Sequence, residues 1–385
     1  MHRLRHLMAA VAVVATSALA VTVTPALADP VSNSGKAVTP KAYDVVGVGA
    51  DTDEFLFDQL SIDYNATVPA SKHSASDPYF YNWDATKPGS TSTAPTTIVP
   101  KAGCVTTTRP NGGNAGLKAL DDNTLDGKTG KFCIDFARTS SGRSSSSPAF
   151  APGGVAYVAV AEDAVTYATR DTGATKTVPA TYAPKNLSTA QLKKIFLCTD
   201  TNWKQVGGAN QPIKAYLPQA GAATTTFWLK ALGITEPGSC VNQSLEQNQG
   251  LSKQFNNPDA IFIYSVADWI AQKYHSAAVG HKPAKSQNEF GSNQTGFLGL
   301  NKIDGVSPVT TAKVPTINKA FKSTHFTRTI YDIVRYAKTA DHIPAYLDRF
   351  FADKGRKGFI CSNATAIKAI ESYGFLPAAT CGTAS

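Results

Sequence analysis

Runs of β-branched and apolar residues alternate with amphipathic stretches along most of the chain, which predicts strands followed by helices. In "YDVVGVGADTDEFLFDQLSIDYN", Val45, Val46 and Val48 read as a buried strand, and Gly47 and Gly49 permit a tight turn. Phe55, Leu56, Gln59 and Leu60 then recur at helical spacing, with Asp51 and Glu54 placed as a capping box. A short strand at Ile98 and Val99 precedes "RPNGGNAGLKAL", read as a turn and helix start. Phe132 to Phe136 form a third strand, emptying into the loop of "CIDFARTSSGR", with Ser144 to Ser147 as flexible loop. "GGVAYVAVAEDAVTYAT" supplies two more strand-like runs.

The middle of the chain is the most explicit. In "NLSTAQLKKIF", Ser188 is an N-cap, Gln191 completes its box, and Leu187 with Leu192 form the hydrophobic staple. "IKAYL" is a strand, and "PQAGAATTTFWLKALG" is a loop feeding a helix that Gly233 ends. "DAIFIYSVADWIAQKY" reads as a buried strand then a helix, and "FTRTIYDIVRYA" as a strand from Thr327 to Val334. Residues 29–41 read as a polar tail and 69–97 as a surface excursion rich in Ser, Thr and Pro. The succession predicts an α/β chain with mainly parallel sheets. Trp203, Trp228 and Trp269 fall within helical or turn motifs and are expected in the core.

Composition narrows the class. Residues 1–28 combine a basic start, an apolar stretch and a small-x-small site at Ala26-Leu27-Ala28, the pattern of an export signal. The remaining chain is expected to be secreted, extracellular or cell-wall associated, with no lipid anchor and no transmembrane segment. The formal charge is +9, but only 17% of residues are charged and they form no like-charge run. That argues against a nucleic-acid groove and suits solubility or weak attraction of anions. Six cysteines in an exported chain favour disulfides, and they allow 15 pairings. The sequence-local set among these is Cys104-Cys133, Cys198-Cys240 and Cys361-Cys381. There is no CxxC, the seven histidines do not cluster at ligand spacing, and no metal or cofactor is expected. No GxSxG elbow or HExxH is present, so a secreted hydrolase is the weakest reading and no enzyme activity is expected.

Three loops share one design: Gly49-Ala50-Asp51-Thr52, Gly112-Gly113-Asn114-Ala115 and Gly221-Ala222-Ala223-Thr224. Each follows a strand, precedes a helix and uses small residues that let a ligand approach the backbone. First-turn amides lack internal partners and carry the positive end of the helix dipole, so converging helix starts make an anion site. The hydroxyls of Thr139, Ser140 and Ser141 and the guanidiniums of Arg138 and Arg143 are candidate donors beside them. Asp51 is read either as an acceptor or as a plain N-cap.

The succession "GVGADT", "NGGNAG", "CIDFARTSSGR", "GGVAYVAV", "NLSTAQLKKIF…TNWKQVGG", "IKAYLPQAGAATTTFWLKALG", "AIFIYSV" resembles the phosphate-binding protein of bacterial ABC phosphate importers, and more narrowly a secreted actinobacterial branch. The resemblance implies an α/β, two-lobed periplasmic-binding-protein (type II) fold with a hinge between lobes. It places the first lobe at 29–159 plus 326–385 and the second at 160–325. It implies a monomer holding phosphate or another small oxyanion between the lobes, with an ABC permease as partner and without nucleic acid. Carried over loop by loop, the ligand set is Ala50, Asp51, Thr52, Gly113, Asn114, Ser140, Ala222, Ala223 and Thr224, with Arg138, Thr139 and Arg143 beside it. Ser140 stands where the family has an aspartate and Pro218 where it has an arginine, so Arg138 or Arg143 is expected to supply the guanidinium. The alternative within this fold is a secreted interaction protein that has lost phosphate binding.

Overall fold

The computed structural model describes residues 29–32, 36–88, 94–122, 124–278, 295–322, 324–337, 343–351 and 358–385. The segment read as an export signal lies outside them. Ten strands form one mixed sheet: β1 (Val45–Gly49), β2 (Phe80–Asn82), β3 (Phe136–Thr139), β4 (Val155–Arg170), β5 (Lys214–Pro218), β6 (Asn242–Leu245), β7 (Ala260–Ser265), β8 (Leu298–Leu300), β9 (Thr327–Arg335) and β10 (Leu376–Pro377). The order is β2-β1-β3-β9-β4-β7-β5-β6, with β8 and β10 also on β4. Among the described residues six helices of eight residues or more accompany it: α1 (Glu54–Thr67), α2 (Gly113–Asp121), α3 (Thr189–Phe196), α4 (Ala223–Ala231), α5 (Val266–Ala278) and α6 (Ala364–Ser372).

β1 pairs in parallel with β2 and β3, and β5 with β6 and β7, as βα alternation requires. The expectation of mainly parallel sheets is corrected at the centre, where β4 and β9 run antiparallel to each other and to their neighbours. These two strands knit the molecule. β4 is one strand of 16 residues rather than two runs. Its first part pairs with β9, and its second with β7 and β8. Glu162 and Asp163 look like a break in sequence, but Lys322 pairs with Glu162 and Arg328 with Asp163, so the strand continues. β3 is also displaced from the expected 132–136, so Arg138 and Thr139 belong to a strand, not a loop.

Apolar packing divides along the same line. One core gathers buried side chains between Ala164 and Phe326, among them Phe196, Trp203, Trp228 and Phe262. A second combines Phe57, Phe80 and Phe136 with Phe350, Phe351 and Tyr373 from the C-terminal part, and a third, smaller one gathers Val48, Ile98, Leu120, Ile134 and Tyr157. In the second the Phe80 and Phe350 rings stack with centroids 4.0 Å apart, and Tyr64 meets Phe350 edge-on at 5.4 Å. Such residues contribute about 1.5–3 kcal/mol each through burial, so each half carries a substantial core of its own.

All three expected disulfides are formed: Cys104–Cys133, Cys198–Cys240 and Cys361–Cys381. They accord with a chain that folds outside the reducing cytoplasm. Among the described residues no helix is long and apolar enough to cross a membrane.

Candidate functional site

Helices remote from the central cleft are capped by side chains. Ser188 and Gln191 form the expected box on α3, and Asn363 accepts from the amides of Thr365 and Ala366 at the start of α6. Three helix starts near the junction of the two halves are built otherwise, although α5, which also starts there, is capped by Ser265 Oγ on the Asp268 amide at 3.1 Å. α2 begins after Gly112 and α4 after Ala222, neither of which has a side-chain oxygen to offer. α1 begins after Asp53 and receives no side-chain cap either. The expected box of Asp51 and Glu54 is absent, because Glu54 Oε2 instead accepts from the Ala85 amide at 2.6 Å. Ser, Thr, Asp and Asn are the favoured caps. Gly and Ala at two cleft-facing starts therefore leave first-turn donors without a side-chain partner.

Tight packing sets these starts in place. Gly49 has φ +129°, and a Cβ there would lie 2.5 Å from the Arg138 carbonyl oxygen. The Gly112 amide donates to the Gly49 carbonyl at 3.0 Å, tying α2 to the tip of β1. A Cβ on Gly113 would overlap Thr139, so only glycine lets the first turn of α2 lie on β3.

Beside them opens a cleft of about 960 Å³. Gly113, Asn114, Thr139, Ser140, Arg143 and Ala223 line it, six of the residues expected from the sequence. Ser140 is wholly buried, and its Oγ has no hydrogen-bond partner among the described residues. Thr139 Oγ1 accepts from the Ser141 amide at 3.2 Å. Ser144 to Ser147, expected as a flexible loop, form a turn closed by the Ser147 amide on the Ser144 carbonyl at 3.1 Å. Ser147 Oγ and the Tyr157 hydroxyl lie 3.0 Å apart, which fixes that turn to β4.

The basic side chains on the lining are Arg143, Lys230, His325 and Arg328; among the described residues it has no carboxylate. Arg143 donates to the carbonyls of Pro148, Val155 and Ser385 and lies 4.8 Å over the Tyr157 ring. Its Nε is buried without a hydrogen-bond partner among the described residues, and burial lowers its pKa.

Arg328 was missed in the sequence. It faces Asp163 in the β4–β9 register, and its Nε and Nη2 donate to Asp163 Oδ2 at 3.1 and 2.8 Å. Asp163 Oδ1 accepts in turn from Ser265 Oγ and the Ala267 amide at the start of α5. Arg328 Nη1 donates to Thr224 Oγ1 at 2.9 Å, so buried Thr224 holds the guanidinium against α4. Ala222 is buried at the same helix start. The available signal was charge of opposite sign within two largely buried strands, Asp163 in one and Arg328 in the other, since buried charges require partners.

The remaining expected residues lie elsewhere. Arg138 is fully buried and does not line the cleft. Its Nε donates to the Ala50 carbonyl at 2.9 Å, its Nη2 to the Trp83 carbonyl at 3.0 Å, and its Nη1 to Asn82 Oδ1. Asp53 Oδ1 stands 3.7 Å from its Nε, and Asp332 is opposite it in the β3–β9 register. Among the described residues, neither carboxylate accepts a hydrogen bond. Burial raises both, Asp53 to about 7 and Asp332 well above the usual carboxylate range. Ala50, Asp51 and Thr52 sit in a second zone, the seam between the halves. Gln247 donates to Asp51 Oδ1, and the Thr52 hydroxyl donates to the same oxygen at 3.4 Å. Asn111 Nδ2 donates across the seam to Glu246 Oε1 at 3.0 Å. Burial lifts Glu246 to about 7; burial and then Glu246 push Asp51 well up. Among the described residues, no cluster of His, Cys, Asp or Glu is arranged to hold a metal.

This geometry is that of two α/β halves joined by crossing strands, with a polar cleft beside the junction. The profile of the PBP superfamily domain matches residues 84–354, and the chain belongs to that superfamily. No curated protein matches it significantly in sequence. Among solved structures it is similar to an ABC-type phosphate transport receptor from Vibrio cholerae, at 17% identity and TM-score 0.50, covering 87% of this chain and 100% of that one. It is also similar to a protein of Clostridium perfringens described as a phosphate ABC-transporter substrate-binding protein and solved with bound phosphate, at 14% identity and TM-score 0.52, covering 87% of this chain and 99% of that one. At these identities the likeness is one of fold.

Proposed function

We propose that the protein is a secreted solute-binding protein that holds a small oxyanion, phosphate among them, between two lobes and delivers it to an ABC permease. The lobes are 29–159 with 326–385, and 160–325. The observation that carries this reading is the convergence on one carboxylate-free cleft of two helix starts lacking side-chain caps, the unpartnered Ser140 hydroxyl and Arg328. Fixed amides and a pre-held guanidinium bind an anion without reorganising, which is what preorganised donors contribute. Arg328 takes the part expected of Arg138, which instead holds the Ala50 loop. Closure about the crossing strands would bring donors from both lobes onto the ligand.

Calorimetry on the mature chain should give one-to-one binding of phosphate or another oxyanion, weakened at least tenfold by Arg328→Gln. No heat and no thermal shift across phosphate, sulfate and arsenate would reject the reading. A second reading, an interaction protein of this fold without a ligand, is favoured by the seam, where Gln247 on Asp51 and Asn111 on Glu246 latch the halves with the chain's own groups. It predicts that lobe opening is insensitive to every anion in the panel.

A further inference from the structure

The cleft is larger and more apolar than a bare oxyanion requires. At about 960 Å³ it lies at the upper end of the roughly 300–1,000 Å³ typical of pockets for organic molecules. A tetrahedral anion would occupy a small part of it. Leu117, Tyr157, Phe227, Tyr331 and Ile333 share the lining with the donors. Two of the rings lie face-on to cations: the Arg143 guanidinium over Tyr157 at 4.8 Å, and Arg328 over Phe227 at 5.4 Å. Tyr157 and Tyr331 meet edge to face with centroids 6.2 Å apart, which orients the second ring as well. Water alone gains little from such surfaces, whereas an apolar body removes them from solvent.

We infer that the ligand is an organic anion, a phosphomonoester with an aromatic body, rather than inorganic phosphate. Its phosphoryl oxygens would take the amides of α2 and α4, the Ser140 hydroxyl and Arg328. Its ring would lie between the walls made by Phe227 and by Tyr157 with Tyr331. The unpartnered, fully buried Ser140 Oγ marks the polar end independently of the helix starts. This inference rests on the oxyanion-binding reading and narrows its substrate class.

Titration of the mature chain with phenyl phosphate, inorganic phosphate and phenol separates the two. Phenyl phosphate is expected to bind at least tenfold more tightly than inorganic phosphate, with phenol showing no binding. In Phe227→Ala and, separately, Tyr331→Ala, both at half-buried positions, that ratio should fall to about twofold. Inorganic phosphate binding as tightly as phenyl phosphate overturns the inference and leaves the oxyanion reading standing. Binding of neither anion overturns both. An unchanged ratio in both folded variants also overturns the inference.

Discussion

Arg138→Met separates a structural arginine from a ligand-binding one. The substitution keeps an unbranched apolar stem and deletes a guanidinium that is 0% exposed. Three acceptors lose a donor: the carbonyls of Ala50 and Trp83 and the side chain of Asn82. Each such bond contributes about 0.5–1.5 kcal/mol net, and an acceptor left buried and unsatisfied costs about 1–3 kcal/mol. Asp53 and Asp332 lose their neighbouring cation, but burial already raises both, so they take up protons and relieve part of the cost. Breaking a buried pair of this kind costs about 3–5 kcal/mol, and the same range is expected here, a large share of a typical 5–15 kcal/mol total. Urea unfolding followed by far-UV circular dichroism measures it, as a lower midpoint at constant slope. A loss below about 1 kcal/mol, accompanied by a tenfold fall in anion affinity, would refute the reasoning and return Arg138 to the ligand set.

Two further outcomes follow from burial and covalent constraint. Glu246 is held at about 7 in the fold against an ordinary 4.5, so the folded chain binds its proton more tightly than the unfolded one. Its contribution is therefore neutral below about pH 4 and becomes a cost as pH rises toward 7, worth up to about 3 kcal/mol by pH 8. Asp53 and Asp58, both raised to about 7, act in the same direction, so melting temperature should fall from pH 5 to pH 8. Glu246→Gln keeps an oxygen for Asn111 and should flatten that fall; an identical slope in the variant rejects the assignment. Replacing Cys198 and Cys240 by alanine opens a link across 42 residues and should cost about 3–4 kcal/mol in urea unfolding. A change under 1 kcal/mol would mean that the unfolded chain is constrained by other means.

What the sequence made legible depends on whether the deciding contact is local. β1 and β7 are near-continuous runs of buried, β-branched or aromatic residues. The α3 cap and the turn at Gly233, with φ +64°, are set by residues within a few positions. These were readable. β4 was not, because the partner that makes Asp163 tolerable in mid-strand is 165 residues away. Arg138 misled for a related reason. In sequence it stands among hydroxyls at a strand end, yet Asn82 and Trp83, 56 and 55 residues earlier, draw its guanidinium inward. The loops of the site were legible as loops, whereas their division between seam and cleft depends on how the two halves meet.

That division has a physical logic. A junction containing Asp51, Asp53, Asp163, Glu246, Asp268 and Asp332 would repel an anion if every carboxylate were charged and open to the ligand. Instead Asp163 is spent on Arg328 and fixed by Ser265 and Ala267, so its charge serves to orient a guanidinium whose Nη1 reaches Thr224 at the start of α4. Burial raises Asp51, Asp53, Asp268, Asp332 and Glu246, and a carboxyl that keeps its proton contributes no negative field. The groups left facing the cleft are hydroxyls, helix-start amides and cations. On the proposed reading, selectivity for an anion would arise from where charge has been suppressed as much as from where it is placed. The same protonated carboxyls that would spare an anionic ligand make the fold lose stability toward alkaline pH.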